Sequence, residues 1–145
     1  MKNCPHCNVP RKVCYCDKEI TIIFPGIAVS KLRARQGKNG QWYTPWETRE
    51  YENELALIAR NQMQLQEVEA FEKDIPLSIA IAFVKKGKLT ARPDIDNCIK
   101  AVLDALKGVC YHDDAQIVEL LAGKANPRSK EVVGVAIRIQ AKGEG

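Results

Sequence analysis

The 145-residue sequence has no apolar run long enough to cross a bilayer. An uncharged stretch near the start, Ile20 to Ser30, is broken by Pro25-Gly26 and falls far short of the roughly 20 residues a membrane helix needs. Met1-Lys2-Asn3-Cys4 leads into no apolar segment, so no secretory signal is expected. No internal repeat and no low-complexity tract is present, which excludes solenoids and biased-composition tails. Histidine is scarce: His6 and His112 are the only two, and neither has the neighbours expected of a general base. Acidic residues are missing altogether from Ile20 to Trp46.

What is there fits a single small domain. Hydrophobic residues make up 46% and charged ones 28%, enough apolar material for one core and too much for a disordered tail. The chain is expected to be soluble and cytoplasmic, with no membrane partner. A net charge of +4 hints at a polyanionic partner and says nothing of the fold. Four of the six cysteines, Cys4, Cys7, Cys14 and Cys16, fall at the very start. In a reducing compartment such clustering points to metal ligation before disulfides. Residues 1–18 hold too little apolar content to fold on their own core, and structural Zn²⁺ would supply the missing free energy. The Cys14-x-Cys16 pair is tighter than usual, which leaves His6 as a substitute ligand. The expected division is a zinc-binding segment over 1–18 and a main domain over 19–145. Cys98 and Cys110 stand alone and read as small buried hydrophobes.

Periodicity sets out the rest. Ile20, Ile22 and Phe24 alternate with Thr21 and Ile23 as a strand ended by Pro25-Gly26. A basic loop, or wide hairpin, follows with Lys31, Arg33, Arg35 and Lys38 beside Trp42 and Tyr43. Tyr51, Leu55, Ile58, Gln62 and Leu65 recur at helical spacing and predict a helix over roughly 47–69. Leu77, Ile79, Ile81 and Phe83 alternate with Ser78, Ala80, Ala82 and Val84. That pattern predicts a strand covered on both sides, with helices on the small face. Lys85, Lys86, Lys88 and Arg92 form a second acid-free basic loop. Ile95, Cys98, Ile99, Val102, Ala105 and Leu106 mark a second helix stopped by Gly108. Strands over 116–122 and 132–140 complete the order β-α-β-α-β-β, an α+β domain with a mixed sheet.

The segment richest in chemistry is Arg92-Pro93-Asp94-Ile95-Asp96-Asn97-Cys98-Ile99-Lys100. Asp94 sits where a helix cap is expected, and Asp96, Lys100 and Asp104 follow on one polar face. Beyond the helix comes His112-Asp113-Asp114-Ala115-Gln116. Two carboxylate clusters separated by one helix could converge on a hard cation such as Mg²⁺. On the residues alone, capping, a surface Asp96–Lys100 pair and a polar turn explain these aspartates more simply. Their company argues otherwise: two acid-free basic loops flank a dense acidic patch, as where Lys and Arg hold phosphates beside a metal.

Arg92-Pro-Asp94-x-Asp96-Asn97-x-x-Lys100-x-x-x-Asp104-Ala-Leu followed by Asp113-Asp114-x-Gln116 resembles the signature of the RusA family of Holliday junction resolvases, often encoded by phages and prophages. The resemblance is dense from Arg92 to Gln116 and weaker outside. It implies Mg²⁺-dependent homodimeric endonucleases, with Mn²⁺ as a substitute metal, that cut four-way DNA junctions by paired symmetric nicks. By resemblance, Asp94, Asp96 and Asp114 are the metal-binding carboxylates and Lys100 the catalytic lysine. Asp113 is a weaker candidate, placed with Asn97 behind the ligands; Asn97, Asp104 and Gln116 are expected as structural supports. Lys31, Arg33, Arg35, Lys38, Lys85, Lys86, Lys88 and Arg92 are the expected DNA contacts, with Trp42 and Tyr43 available to stack on an unpaired base. The N-terminal cysteines depart from the compact family pattern. A restriction-like nuclease fails on spacing, because no acidic residue after Asp94 has a lysine two positions on. The alternative from another class is a non-catalytic, zinc-containing DNA-binding or adaptor protein.

Overall fold

The alternating isoleucines build β1 (Glu19–Phe24), and the glycine-rich basic stretch contributes a two-residue hairpin of β2 (Arg35–Gln36) and β3 (Trp42–Tyr43). The chain then forms α1 (Trp46–Gln66), β4 (Leu77–Val84), α2 (Ile95–Leu106), a single 3₁₀ turn at Asp114–Gln116, β5 (Ile117–Ala125) and β6 (Gly134–Ala141). These elements come from a computed structural model that describes residues 3–5, 8, 10, 18–26, 35–43, 46–128 and 133–142. The α+β class and the expected order hold, with the small hairpin added. Helix α1 stops short of residue 69 because Glu67 takes a left-handed φ of 56° and Val68 N–H turns back to the Met63 carbonyl. Gly108 has the positive φ of 80° that a left-handed position after α2 requires.

The main sheet has the order β1-β6-β4-β5. β6 is antiparallel to both β1 and β4, whereas β5 runs parallel to β4. A parallel neighbour needs a crossover, and α2 supplies it. It therefore runs back against the direction of β4 and β5. Its first residues lie at the ends of those strands, and its last residues lie where β5 begins.

One face carries the core. Ile20, Ile22 and Phe24 of β1, Leu77, Ile79, Ile81 and Phe83 of β4, and Val135, Ile137 and Ile139 of β6 are all buried in one cluster. Tyr51, Leu55, Ala59 and Met63 of α1 and Cys98, Ala101, Val102 and Leu106 of α2 join them. The expectation that helices cover the small face of β4 is thus overturned. Both helices take the bulky face, because only large side chains fill the space between helix and sheet at core density. The opposite face aligns Ala80, Ala82, Ala136 and Gly123 with Thr21, Arg138 and Glu119, and holds an open groove of about 550 Å³. A largely antiparallel sheet commonly leaves one face to solvent in this way.

Cys98 and Cys110 are buried core residues, as their isolation implied. Burial pushes the Cys110 thiol up to about 12, and its sulfur lies 3.7 Å from Met63 Sδ. At the N-terminus Cys4 is buried and its carbonyl accepts from Asn8 N–H. His6, Cys7, Cys14 and Cys16 lie outside the described residues.

Candidate active site

Asp94 occupies the N-cap position of α2 with extended backbone (φ −68°, ψ 143°), but its carboxylate makes no capping hydrogen bond. It instead meets Arg92, Nη1 to Oδ2, at 3.2 Å, with both side chains largely exposed. A capping aspartate typically stabilises a helix by about 1 kcal/mol, and this carboxylate does not make that contribution. Asp96 and Lys100, one turn apart, are both exposed and form no ion pair among the described residues. The simple explanation of cap and surface pair fails at both positions.

The loop that delivers Asp94 is pinned from the strand ends. Lys124 donates to the carbonyls of Leu89 and Ala91, each at 3.2 Å, and Lys85 reaches those of Ala91 and Arg92 at 3.3 and 3.4 Å. Asn126 Nδ2 donates to the carbonyls of Lys85 and Gly87. Lys85, expected as a phosphate contact, is here turned onto its own loop, while Lys86, Lys88 and Arg92 remain exposed. The same two lysines act on the Cys98 thiol, which burial raises, Lys124 and Lys85 lower, and Asp94 and Asp96 raise further. Lys124 went unnoticed in the sequence. Its signal is a charged residue on the core-facing register of β5, opposite Phe83.

Asp114 is set by a different device. Asp113 caps the 3₁₀ turn through Ala115 N–H at 3.2 Å. Buried Gln116 closes it from inside: its Oε1 accepts from the N–H groups of His112 and Asp113, and its Nε2 donates to the carbonyls of Glu72 and Ile75. Gln116 is therefore the structural support its position implied, and Asp113 is committed to the turn. Gln116→Leu removes four hydrogen bonds from the inside of the turn, so thermal or urea unfolding should show a loss of about 2–4 kcal/mol. An unchanged midpoint would refute this role.

Asp114 Oδ1 is buried and has no hydrogen-bond partner among the described residues. Burial raises its carboxyl above the usual carboxylate range; Asp104 raises it further, Lys107 opposes, and Asp113 adds a smaller rise. An orphaned carboxylate oxygen beside other oxygen donors is the chemistry a hard divalent cation satisfies. Yet the charges around Asp114 belong to the end of α2, whereas Asp94 and Asp96 stand at its start. Ten residues of helix span about 15 Å. Among the described residues no three His, Cys, Asp or Glu side chains come together as a metal site. The two carboxylate clusters are not joined within one chain.

Of the remaining expected DNA contacts, Lys38 is exposed in the hairpin turn, Arg35 lies in β2, and Lys31 and Arg33 lie outside the described residues. Asn97 is half-buried in the first turn of α2, and His112 is exposed beside Asp113.

A family profile described as endodeoxyribonuclease RusA matches residues 25–140, which takes in both carboxylate clusters and every element from the hairpin to β6. The chain belongs to the RusA family. A crossover junction endodeoxyribonuclease RusA of Lactococcus phage r1t is 37% identical over 73 residues, covering 44% of this chain and 56% of that protein. An uncharacterized protein, YqaN, of Bacillus subtilis (strain 168) is 37% identical over 59 residues, covering 36% of this chain and 42% of its own length. The chain thus spans about half the length of the curated relatives it matches. This RusA-family chain has no helix among the described residues that is long and apolar enough to cross a membrane.

Proposed function

We propose that this protein is a structure-selective endonuclease that resolves four-way DNA junctions by Mg²⁺-dependent phosphodiester hydrolysis, with paired symmetric nicks made by a homodimer. The observation that carries the reading is the family match over residues 25–140, which includes every carboxylate and lysine of the motif. Asp94, Asp96 and Asp114 would hold the cation, with Mn²⁺ able to replace Mg²⁺. The bound cation supplies Lewis-acid stabilisation and an acidified water. Lys100, exposed and one turn from Asp96, would neutralise charge on a non-bridging phosphate oxygen as it develops. Lys124 and Lys85 hold the turn that presents Asp94, and Gln116 fixes the turn that presents Asp114.

The gap between the clusters bears on the assembly. A chain that sets Asp94 and Asp96 at one end of α2 and Asp114 at the other gains a full ligand set when two copies meet across a two-fold axis. One copy then contributes Asp94 and Asp96, and the other Asp114. A four-way junction has matching symmetry and needs two cuts, so two such sites on one dimer suit it.

Exposed Lys38, Lys86, Lys88 and Arg92 carry the electrostatic part of binding. Junction affinity should therefore fall by roughly a hundredfold between 50 and 200 mM salt for some four phosphate contacts. Salt-independent binding in a filter or gel-shift titration would contradict that role. The buried Cys4 in an apolar-poor segment supports a structural zinc held by Cys4, Cys7, Cys14 and Cys16. Metal analysis of the Cys4→Ser/Cys7→Ser protein should show zinc lost and cleavage largely kept; complete loss of cleavage in a folded protein would make the segment part of the active machinery. The reading as a whole is tested by cleavage of a synthetic four-way junction against linear duplex of the same sequence.

A further inference from the structure

The loop between β4 and α2 is held by its carbonyls. Asn126 Nδ2 donates to those of Lys85 and Gly87 at 2.9 and 2.8 Å. Lys124 Nζ donates to those of Leu89 and Ala91, and Lys85 Nζ to those of Ala91 and Arg92. Every second carbonyl from Lys85 to Ala91 therefore faces side-chain donors at the strand ends. The peptides that follow these four carbonyls are trans, so each N–H is opposed to its C=O across a planar unit. The N–H groups of Lys86, Lys88, Thr90 and Arg92 thus point away from the staple. None of the four donates to a described residue, whereas Lys85 N–H meets the Ala125 carbonyl and Ala91 N–H that of Lys88. An exposed loop ordinarily offers water acceptors and donors alike. Here the acceptors are largely used within the loop, and the outer side is left with donors. The side chains have the same sign: Lys86, Lys88 and Arg92 are exposed, and no acidic residue lies between Asp74 and Asp94. Approach is open, with no atom within 4 Å of the place a Cβ on Gly87 would take.

We propose that the outer side of this loop is a phosphate seat, in which the N–H groups of Lys86, Lys88, Thr90 and Arg92 donate to the anionic oxygens of a phosphodiester. Backbone N–H groups turned to one side of a turn bind anions in this way, and the ammonium groups of Lys86 and Lys88 add charge-assisted hydrogen bonds. The chemistry is that of any phosphate; the choice of a DNA strand as its source rests on the resolvase reading. Arg92 reaches Asp94 at 3.2 Å, so the seat adjoins the carboxylates and takes a phosphate neighbouring the one they would act on. Backbone contacts to phosphate fix register and read no bases. The seat therefore sets where along a strand the cut falls. Asn126 and Lys124 are positioning residues: they touch the carbonyls, and the opposed N–H groups touch the phosphate. Because the staple fixes the loop before a phosphate arrives, little ordering remains to oppose binding.

Amide-resolved NMR of the full chain tests this, with inorganic phosphate titrated against chloride at equal ionic strength. The amide protons of Lys86, Lys88, Thr90 and Arg92 should move together and saturate, while those of Lys85 and Ala91, already bonded, stay in place. Asn126→Ala changes no charge but frees the Lys85 and Gly87 carbonyls, and should weaken phosphate binding by roughly tenfold with circular dichroism unchanged. Lys124→Gln, which frees the Leu89 and Ala91 carbonyls, should do the same and decides the matter if Asn126→Ala misfolds. Lys86→Ala/Lys88→Ala should bind more weakly yet keep the four-amide pattern. Four unmoved amides, a pattern lost with those two side chains, or staple variants that bind phosphate like wild type each overturn the seat. A second arm replaces single phosphates of a four-way junction with neutral methylphosphonate. Binding should fall sharply at particular linkages, and a junction indifferent to every replacement would overturn DNA as the occupant. The four-amide pattern in a chain that cuts no junction keeps the seat and sinks the resolvase reading alone.

Discussion

Asp96→Asn is expected to reduce cleavage of a four-way junction in Mg²⁺ by about three orders of magnitude, while junction binding survives or tightens. The side chain is exposed in the first turn of α2 and pairs with no other described residue, so the substitution removes one negative charge and leaves the fold intact. A carboxylate used only for helix stability would behave otherwise, since an exposed aspartate in the first turn contributes about 0.3–1 kcal/mol and nothing to catalysis. Loss of a charge from an acidic patch should also ease the approach of a phosphate, hence the tighter binding. Parallel gel-shift and cleavage assays on one junction separate the two effects. If Asp96→Asn cleaves within a fewfold of wild type, the aspartate is a helix residue and the metal assignment fails.

The second large effect concerns assembly. Asp96→Asn and Asp114→Asn proteins should each be inactive, yet an equal mixture, allowed to exchange subunits, should regain nicking. In a mixed dimer one site draws Asp94 and Asp96 from the Asp114→Asn copy and Asp114 from the Asp96→Asn copy. That site is whole, and the other lacks two carboxylates. Random exchange restores roughly a quarter of the wild-type sites, each cutting one strand, so the product is a nicked junction in place of resolved duplexes. A site built within one chain gives no such rescue, because every copy in the mixture is damaged. Silence from the mixture, with subunit exchange verified, would place all three aspartates in one protomer.

Much of this was legible in the sequence. β4 was predicted at its observed limits, as was α2, because strict alternation and an apolar stripe at helical spacing each admit one secondary structure. The two carboxylate clusters stood out by their company of basic, acid-free loops, and the choice of Asp94, Asp96 and Asp114 within them came from the resemblance to the RusA family. Three things were not legible. Which face of β4 meets the helices depends on the bulk of its partners in β1 and β6, so the alternation in β4 alone pointed the wrong way. The hydrogen bonds of Gln62 and Gln66 to the backbone of Ile23 and Thr21 depend on where α1 crosses the β1 edge, and on a helical wheel they are polar residues like any other. Finally, the interval from Asp96 to Asp114 looks short along the chain. It contains a crossover helix running against its strands, which carries the two clusters to opposite ends of the element that separates them.

The most direct measurement is strand-specific cleavage of a synthetic four-way junction by the wild-type protein in Mg²⁺. The account predicts symmetric nicks in two opposing strands, giving ligatable linear duplexes, with linear DNA of the same sequence left uncut. Protein that binds the junction but cuts no strand in Mg²⁺ or Mn²⁺ would contradict it, and would make the aspartates structural and the chain a binding protein.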